Sequence, residues 1–253
     1  MKNQLLTLAP VALALVSVNA LGQDELTANW SGSAGVGAVV TDGNSDTSSI
    51  SGTFNVGRKQ GVWTHGAFGS IYQAEQNGVD SADRTEIGYQ LDRNFDPVTY
   101  GFGRLRYDTD EFGNIDSRLS AIVGVGRTFV DDGRQTFKGE IGLGYTTAEF
   151  LSLDPDNDPT TENLDTLEQD DGLVFIGLNY QIALTDSLSF NSDFSTEIAD
   201  VNTLTVWNNS LNFKVSDRFS VSFGLLTRSN SDIVGALGEK TDTVTTLNLV
   251  YGI

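Results

Sequence analysis

The sequence predicts an all-β fold: a transmembrane up-and-down antiparallel β-barrel of about twelve strands. Three observations predict it. Hydropathy alternates with a period of two along most of the chain after residue 20. The connections between alternating segments are tight and longer by turns. Aromatic residues gather at one end of the segments.

The chain opens with a segment that reads as an export leader, residues 1–20. Lys2 supplies a positive start, an apolar run covers residues 5–18, and Val18-Asn19-Ala20 presents a cleavage site. That run is shorter than the ~20 residues of a spanning helix. No later stretch is apolar enough to be one, because Gly, Ser, Thr and Asn recur every few residues. Residues 21–253 then form a single barrel domain with a long acidic external loop at 151–171.

Alternation defines the elements. Phe219, Val221, Phe223 and Leu225 alternate with Ser220, Ser222 and Gly224. Leu247, Leu249 and Tyr251 alternate with Asn248, Val250 and Gly252. Phe137, Ile141, Leu143 and Tyr145 alternate with Lys138, Glu140, Gly142 and Gly144. Such a pattern gives a strand one apolar face and one polar or small face. Strands are predicted at 30–40, 47–58, 62–75, 82–95, 100–111, 115–130, 135–150, 172–184, 188–197, 203–214, 219–230 and 240–253. An even count brings both termini to one side; ten or fourteen strands would satisfy the same rule. Residues 62–72 have apolar residues on both parities, and Tyr100 and Phe102 are out of phase with Leu105 and Tyr107. A β-bulge, or a girdle residue off its face, would account for the latter.

The tight connections are 59–61, 96–99, 131–134, 185–187 and 215–218, rich in the Asp, Gly, Ser and Pro that turns require. The longer set is 41–46, 76–81, 151–171 and 231–239. Short periplasmic turns and longer external loops are the asymmetry of outer-membrane barrels. Both termini are therefore expected in the periplasm of a Gram-negative cell. Trp30, Trp63, Phe95, Tyr100, Phe129, Phe137, Tyr180, Phe190, Phe213, Phe219 and Tyr251 stand at the short-turn ends and read as an interfacial girdle. Glu86, Asp92, Arg104, Arg106, Arg118, Lys138, Glu140, Asp193 and Lys214 share the polar parity and would line the lumen, where mixed charges can pair.

Composition narrows the function classes. The formal net charge is −19 and there is no cysteine. A strongly acidic chain lacks the basic face that nucleic acid requires. An exported chain without disulfides must close its fold otherwise, and a closed sheet does so. A soluble lipocalin-like barrel is the alternative fold; it accommodates twelve segments and a one-ended girdle poorly.

No catalytic, cofactor-binding or metal-binding residue is assigned. His65, the single histidine, would have to activate a serine in a hydrolase, and no nucleophile-like motif surrounds it; an interfacial place near the girdle is the simpler reading. Asp154, Asp156 and Asp158 alternate as in a calcium loop, but Pro159 stands where a glycine is needed and Asp165 where a glutamate is needed. With Glu162, Asp165, Glu168, Asp170 and Asp171 and no Lys or Arg, the loop would make a negative mouth that concentrates cations. Gly124-x-Gly126 and Gly142-x-Gly144 precede no helix, so they relieve crowding in the barrel rather than bind phosphate.

Trp30-x-Gly32, Gly43-Asn44-Ser45, Tyr100-x-Phe102, Tyr107-Asp108, Asp110-x-Phe112, Asp116-x-Arg118, Gly124-x-Gly126, the run Gly139 to Tyr145, and the ending Leu249-Val250-Tyr251-Gly252-Ile253 resemble, in that order, the YdiY-like salt-induced outer-membrane protein family, a domain of unknown function (481). The resemblance spans the mature chain except 151–171. It implies an outer-membrane location and a link to salt or osmotic stress, and brings no reaction. Ile253 departs from the aromatic last residue common in such barrels, while Tyr251 keeps the phase of the assembly signal.

Three functions follow as expectations. The first is a non-enzymatic structural or stress-related barrel with a closed lumen. The second is a passive channel for small solutes or ions, biased towards cations. The third is an outer-membrane lipid or peptide hydrolase. Expected partners are outer-membrane lipid and lipopolysaccharide, the barrel-assembly and periplasmic chaperone machinery, and small ions or solutes. No nucleic acid and no cofactor is expected.

Overall fold

A computed structural model describes residues 30–41, 47–110, 115–152, 165–231 and 240–252. The leader at 1–20 and the calcium-like stretch at 154–158 lie outside them. Twelve strands run in order: β1 (Trp30–Thr41), β2 (Thr47–Gln60), β3 (Trp63–Gln76), β4 (Val79–Asn94), β5 (Thr99–Asp110), β6 (Ile115–Asp131), β7 (Gln135–Ser152), β8 (Asp165–Ala183), β9 (Leu188–Ala199), β10 (Thr203–Lys214), β11 (Phe219–Asn230) and β12 (Thr241–Gly252). Each pairs antiparallel with its sequence neighbours. β1 closes on β12 through the register Ser33↔Gly252 to Gly37↔Asn248. Every strand exceeds the ~9–11 residues that cross a bilayer obliquely.

Burial is inverted relative to a water-soluble sandwich. Val123, Leu143, Leu105, Ile87 and Ile141 are exposed on the outer wall, whereas Arg106, Asp108, Asp110, Arg118, Glu197 and Arg228 are buried. An apolar exterior of this extent is stable only against hydrocarbon, and closure leaves no strand edge unpaired there. The period-two pattern produces this arrangement directly, since successive side chains alternate between lumen and lipid.

Four of the tight turns share one device. The first side chain folds back onto the backbone amides two and three residues on: Asp96 accepts from Val98 and Thr99, Asp132 from Arg134 and Gln135, Thr185 from Ser187 and Leu188, and Ser216 from Arg218 and Phe219. This is the turn chemistry of short polar side chains.

Three expectations are corrected. The connection at 76–81 is not long. β3 and β4 meet in a two-residue turn at Asn77-Gly78, both with positive φ (53° and 78°), the twist that suits a tight hairpin. The acidic loop is shorter than 151–171, because β7 continues to Ser152 and β8 begins at Asp165. The alternation there is carried by polar residues, which hides it from hydropathy. Tyr100 is not a girdle residue: it and Phe102 are buried in the lumen, on the same parity as Arg104 and Arg106. The register against β4 runs unbroken from Tyr100 to Asp110, so no bulge is needed. The room for these rings comes from the facing strand, where Tyr100 pairs with Gly126 and Phe102 with Gly124. A Cβ at either glycine would run into the ring. Six other girdle aromatics, Trp30, Trp63, Phe95, Phe129, Phe213 and Phe219, are exposed on the outer surface.

Backbone amides hold the carboxyls of Asp96 and Asp132 below the usual carboxylate range. Their stabilisation of the turns is therefore complete above the unfolded carboxylate pKa of about 4, and is lost as pH falls through the lower folded value. Asp132→Ala is expected to remove the protection of the Arg134 and Gln135 amides from hydrogen exchange at neutral pH, while the other short turns keep theirs. Exchange measured by NMR in micelles checks this.

Candidate functional site

The lumen-facing positions of β5 read, from the short-turn end, Tyr100, Phe102, Arg104, Arg106, Asp108 and Asp110. Rings come first, then two cations, then two anions. Two networks grow from this strand.

The network at the loop end centres on Asp108, whose exposure is 0%. Its register partner Arg118 on β6 grips it as a fork, Nε to Oδ1 at 3.0 Å and Nη2 to Oδ2 at 2.5 Å. Arg228 on β11 donates to the same Oδ2 at 2.9 Å. Arg106 Nε lies 3.2 Å from Oδ1 but off the hydrogen-bond direction, so it contributes charge rather than a hydrogen bond. Its Nη1 is 2.7 Å from Glu197 on β9. Asp110 takes Arg84 of β4 at 2.7 Å and lies 3.6 Å from Arg228; Arg84 also reaches Asp242 of β12 at 3.2 Å. Four arginines and four carboxylates from β4, β5, β6, β9, β11 and β12 thus form one connected network. Glu86 stands opposite Asp108 in register, a like-charge pair that these cations offset.

The network crosses the barrel. β5 and β11 are six strands apart in a ring of twelve. A round barrel of this count, at the usual strand spacing and tilt, has a backbone diameter of about 24 Å. An arginine and an aspartate end to end reach little more than half of that. The contact between Arg228 and Asp108 therefore requires the wall to be drawn in along the β5–β11 direction. The cavity left beside Arg118, between Thr146, Phe150, Leu173 and Glu197, measures about 30 Å³, room for one water.

A second network lies nearer the short turns. Glu140 on β7 accepts from Arg104 at 2.8 Å, Tyr100 at 3.0 Å and Gln90 at 3.0 Å. Gln90 accepts from Arg104 at 2.6 Å and donates to Asp92 at 2.8 Å. The Arg104 guanidinium sits 4.6 Å from the centre of the Phe175 ring and 5.6 Å from that of Phe102, and these two rings meet edge to face. Further round the wall, Asn179 donates to Asp193. The wall formed by β1, β2 and β12 below Asp242 carries small and uncharged groups instead, such as Ser51, which donates to Asn248.

Of the predicted lumen residues, Glu86, Asp92, Arg104, Arg106, Arg118 and Glu140 converge on these networks. Lys138 and Lys214 lie apart; Lys214 makes only an exposed pair with Asp217. Sequence reasoning missed Arg84, Asp108, Asp110, Glu197, Arg228 and Asp242. Parity carried the signal for two of them, since Asp108 and Asp110 continue the alternate positions of Arg104 and Arg106. His65 lies on the outer wall, its Nδ1 2.6 Å from the Tyr89 hydroxyl. Among the described residues, no group of three or more His, Cys, Asp or Glu side chains is arranged to hold a metal.

A closed antiparallel barrel with a lipid-facing apolar wall and a charged lumen defines the class, an outer-membrane β-barrel. The fold is similar to the translocator domain of autotransporter NalP from Neisseria meningitidis (11% identity, TM-score 0.51, covering 91% of this chain and 90% of that one). It is also similar to an outer membrane channel from Pseudomonas putida F1 (8% identity, TM-score 0.50, covering 89% and 95%). Within the class, residues 34–253 match the family described as protein of unknown function, DUF481, and the chain belongs to that family. A relative is the uncharacterized protein YdiY of Escherichia coli strain K12, 23% identical over 224 residues that cover 88% of this chain and 83% of that protein.

Asp108→Asn leaves three buried guanidiniums short of a counter-charge. It is expected to lower the unfolding free energy in lipid vesicles by about 3–5 kcal/mol, the cost of breaking a buried pair from one side. A double-mutant cycle with Arg228→Gln is expected to show a coupling of about 0.5–3 kcal/mol; urea titrations followed by heat-modifiable gel migration measure both.

Proposed function

We propose that this protein is a non-enzymatic outer-membrane barrel whose lumen is held shut. Its role is structural, within the salt or osmotic stress response that the family resemblance implies. The observation that carries the reading is the eight-residue ion-pair network spanning the lumen, with Asp108 fully excluded from water at its centre. A conducting pore needs a continuous wet path. Here the path meets guanidiniums bonded from wall to wall, and behind them the Phe102 and Phe175 rings. The position of His65 on the lipid-facing wall, bonded to Tyr89, supports the non-enzymatic part.

On this reading the short-turn end and both termini face the periplasm of a Gram-negative cell, supported by the contrast between the tight turns and the longer connections at the other end. The export leader, the assembly and chaperone machinery and contact with lipopolysaccharide belong to the same proposal. A cation-biased channel is the second reading, favoured by the exposed Glu168 and Asp170 near the mouth on β8.

The refolded protein is expected to stay silent in a planar bilayer while showing heat-modifiable migration. The double variant Asp108→Ala/Arg228→Ala is expected to give discrete conductance steps. Steps from the unaltered protein would favour the channel.

A further inference from the structure

The ten arginines divide by face. Arg84, Arg104, Arg106, Arg118 and Arg228 point into the lumen, and each is ion-paired. Arg58, Arg93, Arg127, Arg134 and Arg218 stand on the outer wall or turns at the short-turn end. None of these five forms an ion pair among the described residues. Two are held against girdle rings. Arg58 lies 5.3 Å from the Trp30 ring centre, and Arg93 lies 5.9 Å from that of Trp63 and 6.0 Å from that of Phe95. The Nε of Arg58 is buried without a hydrogen-bond partner.

Beside Arg93 the wall is grooved. Gly101 and Gly103 on β5 lie on the outer face; the Phe95 ring covers Gly101, while Gly103 is left bare. Leu91 on one side and Val123 and Val125 on the other form apolar banks, with Trp63 and Arg93 at the short-turn end; the hollow measures about 500 Å³. A Cβ at Gly103 would meet nothing within 4 Å. The register places Arg93 opposite Gly101 on β4, and Arg127 opposite Thr99 on β6. Arg93 therefore closes the end of a lipid-facing apolar slot, and Arg127, which shares its charge with Asp96 of the adjoining turn without a direct ion pair, stands one step beyond it.

We propose that this groove binds one anionic phospholipid, its phosphate between Arg93 and Arg127 and an acyl chain passing beside the Phe95 ring and over Gly103. An apolar slot ending in cations at the depth of the aromatic girdle complements a chain ending in a phosphate. The other end of the barrel favours a phospholipid over lipopolysaccharide as the occupant. There the outer face carries Asp83, Glu149, Glu168 and Asp170, with Glu149 opposite Glu168 in register, and no outward arginine among the described residues. The cationic rim is thus at the end assigned to the phospholipid leaflet. The inference holds whether or not the lumen conducts, and rests on the leaflet assignment only for the choice of lipid.

The test uses the full mature chain with Trp30→Phe and Trp207→Phe, leaving Trp63 as the reporter beside the groove. It is refolded into phosphatidylcholine vesicles containing brominated phosphatidylglycerol, with heat-modifiable migration as the folding control. Quenching of Trp63 is expected to exceed that by brominated phosphatidylcholine at equal mole fraction, by about fivefold in relative affinity for each guanidinium engaged. Arg93→Gln/Arg127→Gln is expected to abolish the preference. Gly103→Leu, which fills the groove without changing charge, is expected to reduce quenching by both lipids. Equal quenching by the two lipids in the parent protein would overturn the proposal. So would a preference that survives loss of both arginines, or quenching that lipid A relieves as readily as unlabelled phosphatidylglycerol.

Discussion

Asp108 is a carboxylate removed from water and placed among three guanidiniums. Much of the barrel is arranged around that fact. An isolated charge in this position would be prohibitively costly, and the offset comes from arginines on its own strand, the next strand and a strand far away in sequence. Arg118 arrives from the next strand, but Arg228 comes from the far side of the ring. Arg228 can reach only if the wall is drawn inwards, so the shape of the cross-section and the stability of the network depend on each other. The favourable energy of such a cluster is modest once desolvation is subtracted, whereas removing one member leaves a buried charge unpaired. The network therefore specifies one closed arrangement more than it adds stability.

Below it, the Tyr100 and Phe102 rings occupy space released by Gly124 and Gly126, and the Phe175 ring faces them. Arg104 lies against two of the rings while Glu140 and Gln90 take its donors. The same side chains thus fill volume and satisfy charge. The plain wall of β1, β2 and β12, with Gly35 and Gly37 and the Ser51–Asn248 bond, contributes little bulk. The lumen is therefore asymmetric, with the rings and most of the charge on β4 to β9 and only Arg228 and Asp242 of the network supplied from β11 and β12.

The fold was largely legible because period two survives any shift of strand ends, and turn residues punctuate it. β10 and β11 begin and end where alternation places them. β8 begins earlier than hydropathy alternation indicates, because Asp165 to Asp171 are polar except for Leu167 and give hydropathy little contrast. An aromatic at a strand end, such as Tyr100, suits either a girdle or a glycine-backed lumen, and only the pairing with Gly126 distinguishes them. The lumen parity of Arg104, Arg106 and Arg118 was readable, but their partners were not. Arg228 and Asp108 are separated by 120 positions, and nothing local in the chain indicates that strands six apart meet.

The most direct test of a lumen closed by this network is directional access to a thiol. The chain has no cysteine, so Ser222→Cys places a single thiol at a buried lumen position on the short-turn side of Arg228. In proteoliposomes of uniform orientation, a cationic thiol reagent supplied from the loop side should leave it unmodified. Under the same conditions a control thiol from Ser231→Cys, at an exposed loop-end position, should react to completion. Modification of Ser222→Cys from the loop side as fast as the control would contradict the account, because it would show an open path past Asp108.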